Sequence, residues 1–199
     1  MFGLGLSAAH LLRYFVGLDA ARTQLSVAER ECLKKYAANK TRVVEIGVFE
    51  GVGTHLLATS VAKGGHLYAI DPFLTGRLGV NWSKLIARSE IRKASSHGTV
   101  DLVRAFSWEA AKRLVGTFDL IFIDGDHSLE GIKQDWADWS DRVKPDGIVA
   151  LHDTRVPAHN PHVAQLGSYL FFESHIKADP RFVLCEQIDS LSIMKRVEK

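Results

Sequence analysis

The sequence predicts an α/β fold with helices on both faces of a seven-stranded mixed sheet. Short β-branched runs alternate with helical stretches from about residue 41 onward, a pattern typical of parallel βαβ units. The run at 118–124 is apolar at nearly every position, as expected of a central strand that helices cover on both sides. The last two strand-like runs are separated by only four residues, which requires an antiparallel hairpin because a parallel return needs a dozen or more.

The chain is expected to divide into a helical extension at 1–40 and one domain at 41–199. Within the extension, Ser26 and Glu29 have the form of a capping box. The Ser side chain can accept from an early backbone N–H of the helix, and the Glu carboxylate can accept from the backbone N–H of the Ser. A helix through about residue 37 would follow. We expect the extension to serve as a lid or as a contact between subunits of a homo-oligomer.

The apolar start of the chain raises the question of a targeting or membrane segment. Its apolar side chains are spaced as in a helix. A signal peptide begins with positive charge, whereas the first Lys or Arg here is Arg13. A membrane span needs about 20 apolar residues, and His10, Arg13 and Asp19 interrupt this run. We therefore expect a helix that packs on the core of a cytoplasmic protein, with no membrane segment.

The alternating part contains five predicted strands, at 42–46, 66–70, 100–105, 120–124 and 147–151. Helices are predicted between them at about 51–63, 82–95, 107–115 and 128–143. The closing hairpin is predicted at 181–186 and 191–196. Parallel strands bring their carboxyl ends to one edge of the sheet, where the ligands of open α/β sheets bind.

The charge and cysteine content of the chain make some classes of partner and site unexpected. The chain has a formal net charge of +2 and no block of Lys and Arg, which gives little reason to expect nucleic acid as a partner. Cys32 and Cys185 lie far apart and form no CxxC pair, so we expect neither a disulfide scaffold nor a cysteine-based zinc site. Both are interpreted as small buried apolar residues.

The sharpest motif is a glycine-rich turn after the first predicted strand, in which Glu45 is followed by Gly47, Gly51 and Gly53. The G-x-x-x-G-x-G spacing differs from the G-x-G-x-x-G of dinucleotide sites, which argues against a dehydrogenase. The Glu45 carboxylate would repel a pyrophosphate but suits the cationic amino acid end of S-adenosylmethionine. We therefore predict that Glu45, Gly47 and Gly51 bind this cofactor. A purely structural glycine turn is the alternative.

Three further residues are predicted to complete the cofactor site. Asp71 ends the second predicted strand, where a carboxylate of nucleoside-binding α/β folds hydrogen-bonds the ribose hydroxyls. The alternative is that Asp71 is a turn residue or a helix cap. Ser107 could cap the next helix and bring Trp108 beside the adenine ring. Otherwise the two residues form a capped helix with Trp108 in the core.

Two later motifs carry a resemblance to a known family. The segment FDLIFIDGDHS at 118–128 is followed by KPDGIVALHDT at 144–154. Together with the turn at 45–53, they resemble the class I S-adenosylmethionine-dependent methyltransferases. More narrowly, they are similar to a branch with small-molecule and sugar O-methyltransferases, some of them metal-dependent. The resemblance covers about 41–154 and implies a Rossmann-like sheet of order 3-2-1-4-5-7-6, in which strand 7 is antiparallel.

The resemblance also implies a metal site at the ends of the fourth and fifth strands. Metal-dependent relatives bind Mg²⁺ through an Asp that ends the fourth strand and an acidic or amide pair that ends the fifth. The residues at these positions here are Asp124, His152 and Asp153. Asp124 is also expected to border the cofactor. His152 departs from the pattern, because an acid is more typical and imidazole suits Zn²⁺, Mn²⁺ or Fe²⁺ better than Mg²⁺.

The predicted reaction is direct displacement at the sulfonium methyl group, which requires a nucleophilic acceptor oxygen. A metal could lower the proton affinity of the acceptor, or a side-chain base could take its proton. Asp126 and His127 are the candidate bases. In the alternative interpretation, Asp124 and Asp153 only close turns and Asp126 caps the following helix.

The sequence therefore predicts methyl transfer to a hydroxyl oxygen of a small molecule. A same-fold enzyme of other chemistry, such as hydroxylation, is one alternative. A non-catalytic methyltransferase-like binding module is another, although the intact glycine turn and Asp71 argue against it. The acceptor side is less defined, since Trp82, His159 and His162 could line a pocket or simply pack and face solvent.

Overall fold

One seven-stranded sheet organises the part of the chain that the structure, a computed structural model, describes: residues 8–75, 79–96 and 98–197. The strands are β1 (Arg42–Ile46), β2 (His66–Ile70), β3 (Thr99–Val103), β4 (Phe118–Ile123), β5 (Val143–Leu151), β6 (Phe182–Ile188) and β7 (Leu191–Arg196). Their order is β3-β2-β1-β4-β5-β7-β6, and β7 runs antiparallel to both of its neighbours. The predicted fold class, strand order and antiparallel strand are confirmed.

Helices cover both faces of this sheet. Within the described ranges they are α1 (Ala8–Phe15), α2 (Val27–Ala37), α3 (Val52–Ser60), α4 (Trp82–Lys93), α5 (Ser107–Arg113), α6 (Leu129–Trp139) and α7 (Gly167–Ser174). One core cluster joins the sheet to α5, α6 and α7, and another joins it to α2 and α3.

The side chains of the central strands show why two covered faces are needed. In β1, Val44 packs in the cluster with α5 to α7, whereas Val43 packs in the cluster with α2 and α3. Successive side chains of a strand point to opposite faces, so the two clusters lie on opposite sides of the sheet. Ile121 and Leu120 of β4 divide in the same way, and all four side chains are fully buried. Burying an apolar side chain of this size contributes about 1.5–3 kcal/mol.

Strand β5 begins at Val143 rather than at the predicted residue 147. Phe118 of β4 pairs with Val143, but Leu120 pairs with Ile148, so the ladder is interrupted between them. This irregularity carries Pro145, which has no N–H to donate to a ladder. Helix α6 likewise ends before the predicted residue 143, because a 3₁₀ turn at Ser140–Arg142 follows it.

Helix α7 lies in a segment to which the sequence analysis assigned no element. Gly167, its first residue, lies against the backbone of Ser128 and Leu129, where any Cβ would overlap the Leu129 nitrogen. Phe172 of the same helix is fully buried in the core cluster that includes α6. A helix of eight residues gains most of its stability from such packing, so its local sequence pattern is a weak signal.

The N-terminal extension is packed into the same structure. The predicted capping box of α2 is present, with both hydrogen bonds between Ser26 and Glu29 formed. Leu33 is fully buried in the core cluster with α3. Cys32 is buried there as predicted, whereas the prediction of a buried Cys185 is wrong. Cys185 is exposed because it lies on β6, an edge strand.

Helix α1 corresponds to the predicted first helix, although residues 1–7 lie outside the described ranges. Tyr14 is its buried aromatic side chain and donates a hydrogen bond to Glu90 of α4 at 2.5 Å. Leu12 and Phe15 are exposed. In the parts of the chain that the structure describes, no helix combines the length and apolarity that crossing a membrane requires.

Candidate functional site

The glycine turn joins the end of β1 to the start of α3 at the carboxyl edge of the sheet. Gly47 has a φ of +92°, and its N–H donates to the carbonyl of Ile70 at 2.9 Å. A Cβ at this position would overlap the carbonyl oxygen of Asp124, just beyond β4. Gly51, the N-cap of α3, has a φ of +84° and lies against the backbone of Ala87 in α4. Both positions therefore require glycine, and the turn packs directly on the end of β4.

Asp71 follows β2 and faces this turn. Its Oδ2 accepts from the backbone N–H groups of Val48 at 3.0 Å and Phe49 at 3.1 Å. Its Oδ1 accepts from the N–H of Phe73 at 2.7 Å. A carboxylate has about four acceptor positions, so Oδ1 keeps one for a ribose hydroxyl. Asp71 thus braces the turn, and its predicted contact with the ribose stays a prediction.

Glu45 lies inside the sheet rather than on its surface. Its side chain is 1% exposed, and Oε2 accepts from the hydroxyl of Thr54 at 2.5 Å. Burial, reinforced by the charges of Asp124 and Asp71, raises the pKa of Glu45 well above its usual value. A Cβ at Gly53 would lie 2.5 Å from Oε1, which accounts for the third glycine of the turn. The predicted contact of Glu45 with the amino acid end of the cofactor stays a prediction.

Ser107 and Trp108 open α5 at the same edge. The predicted serine cap is wrong, because Phe106 is the N-cap and Ser107 is the first helical residue. The Ser107 hydroxyl instead donates to Oδ1 of Asp135 in α6, and burial raises the pKa of Asp135 to about 6. Trp108 is exposed and stacks on Phe106, with 6.0 Å between ring centres. An exposed indole excludes the alternative of a core tryptophan and leaves the predicted adenine contact open.

Four of the predicted residues meet just beyond the ends of β4 and β5. The Nδ1 of His152 lies 2.9 Å from Oδ1 of Asp124 and 3.7 Å from Oδ1 of Asp153. The Nδ1 of His127 lies 3.6 Å from Oδ2 of Asp153, and its Nε2 lies 4.0 Å from Oδ1 of Asp124. The two imidazoles therefore share two carboxylates, with 6.5 Å between the ring centres.

Asp153 is held in an uncommon backbone conformation. Its φ of +52° is a left-handed value that few residues other than glycine adopt. Ser168 in the first turn of α7 donates its hydroxyl to the Asp153 carbonyl at 2.9 Å and its N–H to the His127 carbonyl at 3.3 Å. Helix α7 therefore fixes the backbone of both residues. Strain of this kind persists where the surroundings enforce it, which is frequent at functional sites.

The two candidate bases lie in different surroundings. Asp126 is exposed, and its carboxylate accepts from the N–H of Ser128 at 2.9 Å and from its hydroxyl at 3.0 Å. Ser128, not Asp126, is the N-cap of α6. The side chain of His127 is 30% exposed and reaches toward Asp124 and Asp153. The geometry therefore favours His127 over Asp126 as a base.

His152 is the centre of a buried chain of polar contacts that ends on helix α2. Its Nε2 lies 3.0 Å from the Ser190 hydroxyl oxygen and 3.5 Å from Oε2 of Glu29. Ser190 donates its hydroxyl and its N–H to Oε1 of Glu29, at 2.7 and 2.8 Å. All three residues are buried. In the sequence, Glu29 is recognisable only as a capping residue, and no local pattern points to Ser190.

The contact between His152 and Glu29 shifts the pKa values of both side chains. Burial opposes the charge of His152, but the carboxylates of Asp124, Glu29 and Asp153 outweigh burial and raise the pKa of His152 well above its usual value. Burial would likewise raise the pKa of Glu29, yet hydrogen bonds from His152 and Ser190 lower it to about 2. The contact between the two side chains therefore favours the charged form of each.

Asp124, His152 and Asp153, the predicted metal ligands, are not arranged as a complete ligand set, and their metal site stays a prediction. The Ser190 hydroxyl gives its proton to Glu29, so its oxygen can only accept from an N–H at Nε2 of His152. Nδ1 of the same ring faces the Asp124 carboxylate at 2.9 Å, although the two groups are not aligned as a hydrogen bond. Nε2 is therefore not free to bind a metal, whereas Nδ1 has no aligned hydrogen-bond partner among the described residues. Across residues 8–75, 79–96 and 98–197, no three His, Cys, Asp or Glu side chains are grouped as ligands.

The acceptor side of the site is formed by less regular structure. Trp82 is partly buried at the start of α4. His159 and His162 are exposed in the segment between β5 and α7. Their part in an acceptor pocket stays a prediction.

Residues 44–154, more than half of the 199-residue chain, match the model of a family described as a methyltransferase domain. The match includes the glycine turn and the two strand-end motifs that carry Asp124 and His152. No curated protein sequence matches the chain.

Solved structures share the fold at low sequence identity. An O-methyltransferase from Bacillus cereus in complex with S-adenosylhomocysteine is 19% identical, with a TM-score of 0.62 over 98% of this chain and 94% of that one. An rRNA methylase from Streptococcus thermophilus is 14% identical, with a TM-score of 0.58 over 85% and 94% of the two chains. The N-methyltransferase NodS from Bradyrhizobium japonicum WM9 is 15% identical, with a TM-score of 0.58 over 85% and 93%. The three names refer to different acceptors, so the shared fold leaves the acceptor open.

Proposed function

The chain belongs to this methyltransferase family, and from that premise we propose that it transfers the methyl group of S-adenosylmethionine to a hydroxyl oxygen of a small molecule. The observation that carries the proposal is the contact between the glycine turn and the end of β4. Gly47 packs on the carbonyl of Asp124, so a cofactor held at the turn would lie beside the Asp124–His127 segment. Oxygen is proposed as the acceptor atom because the motifs at 118–128 and 144–154 resemble the O-methyltransferase branch.

The residues of the turn fit the cofactor. Gly47 and Gly51 let the backbone approach a ligand closely, and Asp71 keeps an acceptor position for a ribose hydroxyl. Trp108 offers an exposed aromatic face to the adenine ring. When bound, S-adenosylmethionine supplies an electrophilic methyl group and leaves as neutral S-adenosylhomocysteine. Glu45 lies behind the turn, where its carboxyl group accepts a hydrogen bond from the hydroxyl of Thr54 in α3.

His127 is the proposed general base. Asp153 lies 3.6 Å from its Nδ1 and favours the tautomer with the proton on that nitrogen, which leaves Nε2 to take the hydroxyl proton of the acceptor. The proton moves to Nε2 as the oxygen–carbon bond forms, and Asp153 stabilises the resulting imidazolium. The partial exposure of His127 then lets the proton pass to solvent.

The proposed proton transfer needs only His127 and Asp153, and a metal site at Asp124, His152 and Asp153 stays a prediction. The acceptor is proposed to be small because the chain has a net charge of +2 and no Lys/Arg block that would favour a nucleic acid. Arg155, His159 and His162 lie in the loop that follows β5, where they can contact such an acceptor.

The test is product analysis with S-adenosylmethionine that carries a carbon-13 methyl group. The purified protein is incubated with panels of phenols, catechols, sugars and hydroxy acids, with EDTA in one series and Mg²⁺ in another. A methoxy carbon signal in the product, with equal yield in both series, is expected. Labelled N-methyl products or labelled ribosomal RNA, with no methoxy product from any hydroxyl panel, would contradict the proposal. A hydroxylated product would favour the alternative chemistry.

A further inference from the structure

Two buried side chains of helix α1 attach it to the rest of the protein. Of its eight residues, His10 and Tyr14 are the buried ones. Tyr14 donates its hydroxyl to Glu90 of α4 at 2.5 Å. The Nε2 of His10 is hydrogen-bonded to Oε2 of Glu50, in the glycine turn, at 3.1 Å. The N-terminal extension therefore contacts the turn of the candidate cofactor site directly.

Glu50 lies between two residues of the turn that have left-handed backbone conformations. Phe49 has a φ of +53° and Gly51 a φ of +84°. A residue other than glycine seldom adopts such a φ unless its surroundings enforce it. From the side of β2, Asp71 accepts from the N–H of Phe49 at 3.1 Å. From the other side the extension fixes the side chain of Glu50, so two separate parts of the chain hold the turn in its conformation.

The extension encloses the carboxyl group of Glu50. Glu50 is fully buried, and its Oε2 accepts from the backbone N–H of Arg22 at 2.6 Å in addition to its contact with His10. The Nδ1 of His10 is hydrogen-bonded to Oδ2 of Asp19 at 3.1 Å. Arg13 donates its Nε–H to the same oxygen of Asp19 at 3.0 Å. Helix α1 and the segment that follows it thus close over one residue of the turn.

The attachment of α1 is weak enough to respond to a ligand. Leu12 and Phe15 are exposed, so the docked helix buries few apolar side chains. In the parts of the chain that the structure describes, Oε1 of Glu50 is buried and has no hydrogen-bond partner. Docking removes water from this oxygen without replacing it, which opposes the docked state. Segments with few buried apolar contacts are among the least stable parts of a fold, and ligand-binding elements are drawn from them.

We propose that Glu50 is a positioning residue that couples docking of the N-terminal extension to binding of the cofactor at the glycine turn. The docked extension holds the turn in the conformation that receives the ligand, and a ligand at the turn holds the extension in place. By linkage, each event strengthens the other by the same factor. The inference deepens the proposed function and rests on it for the identity of the ligand, S-adenosylmethionine.

Amide hydrogen exchange of the whole chain, measured without ligand, tests the contact between the extension and the turn. His10→Ala should speed exchange at 8–15 and at 48–53 at least about tenfold, because the hydrogen bond to Glu50 is lost. His10→Gln keeps an N–H donor for Glu50 and should restore most of the protection. Leu12→Ala is the matched control, since Leu12 is exposed on the same helix. Unchanged exchange at 48–53 in His10→Ala would overturn the proposal.

A double-mutant cycle tests the coupling to the ligand. His10→Ala and Glu50→Ala should each weaken S-adenosylhomocysteine binding at least about fivefold. The double variant should bind no more weakly than Glu50→Ala, because all three proteins lack the same contact. In the unaltered protein, the ligand should slow exchange at 8–15 by a similar factor. Tyr14→Phe, which loses only contacts with α4, should keep this slowing. Losses that simply add in the double variant would contradict the coupling.

These measurements separate the two proposals. S-adenosylhomocysteine that binds but leaves exchange at 8–15 unchanged would overturn the role of Glu50 and leave the proposed function intact. Absence of binding to the unaltered protein, with faster exchange at 48–53 in His10→Ala, would contradict the proposed function while supporting the hold of the extension on the turn. If Glu50→Ala does not fold, His10→Ala and His10→Gln decide, because they alter only the helix side of the contact.

Discussion

The imidazole of His152 and the carboxylate of Asp124 lie 2.9 Å apart at the ends of two adjacent parallel strands. Their proximity follows from the register, in which Ile123 of β4 pairs with Leu151 of β5. The residues that follow this pair are Asp124 and His152, which therefore lie side by side. The chemistry at this edge is therefore determined by the residue types that directly follow the strands. In this chain they are an acid and an imidazole.

His127 is the proposed base, and its removal should slow methyl transfer without loss of cofactor binding. His127→Gln should lower kcat by about 10²–10⁴-fold, the usual contribution of a general base. The affinity for S-adenosylhomocysteine should change little. His66→Gln is the matched control, because His66 is also half-exposed and paired with an Asp, but lies at the start of β2 on the opposite edge. Full activity in His127→Gln would exclude it as the base.

Gly47→Ala should unfold at a lower temperature and lose cofactor binding. The left-handed φ of +92° destabilises a non-glycine residue by about 1–2 kcal/mol, and overlap with the Asp124 carbonyl adds about 1–3 kcal/mol. Gly64→Ala is a control for the first effect alone, since Gly64 has a φ of +75° and open space around it. Denaturant unfolding of both variants measures the difference. Equal stabilities would show that the close contact between Gly47 and β4 is absent.

Asp71→Ala should weaken S-adenosylhomocysteine binding at least about tenfold, because a hydrogen bond to a charged group contributes about 1.5–3 kcal/mol. The variant should also have a lower Tm, since the N–H groups of Val48, Phe49 and Phe73 lose their acceptor. Asp101→Ala, at an exposed position of β3, controls for the loss of a surface charge. Unchanged affinity in calorimetric titration would remove the assignment of Asp71 to the ribose.

Asp135 should make stability depend on pH. Burial raises its pKa in the folded protein to about 6, so the folded state holds the proton more tightly than the unfolded chain. Its contribution to stability is fully present below about pH 4 and is lost as the pH rises through about 6.

The matching variant is Asp135→Asn, which cannot ionise. Relative to the unaltered protein, its free energy of unfolding should increase by about 2–3 kcal/mol between pH 4 and pH 8, from about 1.4 kcal/mol for each pKa unit. Ser107→Ala removes the hydrogen bond that opposes the raised pKa and should steepen the pH dependence. A difference between Asp135→Asn and the unaltered protein that stays constant with pH would contradict the account.

The alternation of strands and helices and the edge where the site lies could be predicted from local signals, whereas the order of the sheet was implied by the resemblance to the methyltransferases. The glycine turn, Asp71 and the pair at 152–153 each follow an apolar strand directly, and parallel strands bring such positions together. The limits of β1, β2 and β7 were predicted correctly for the same reason. Strand β5 was predicted too short because its start pairs across an irregularity in the ladder.

The partners of His152 could not be predicted in this way. Glu29 and Ser190 are separated by 161 positions in the sequence, and their contact depends on how α2 packs beside the closing hairpin. Helix α7 could not be predicted for a related reason. Its first residue, Gly167, has to be glycine because it lies against the backbone of Ser128 and Leu129, and no local pattern indicates this contact. The raised pKa of His152 follows from these tertiary contacts, so a sequence motif with histidine at this position does not reveal it.

The central claim is that the glycine turn binds S-adenosylmethionine, and calorimetric titration with S-adenosylhomocysteine tests it most directly. We expect one-to-one binding with a micromolar dissociation constant, which corresponds to a binding free energy of roughly −8 kcal/mol. EDTA and Mg²⁺ should leave the affinity unchanged, and Gly47→Ala should abolish binding. Absence of binding of S-adenosylhomocysteine and S-adenosylmethionine to the folded, unaltered protein would contradict it.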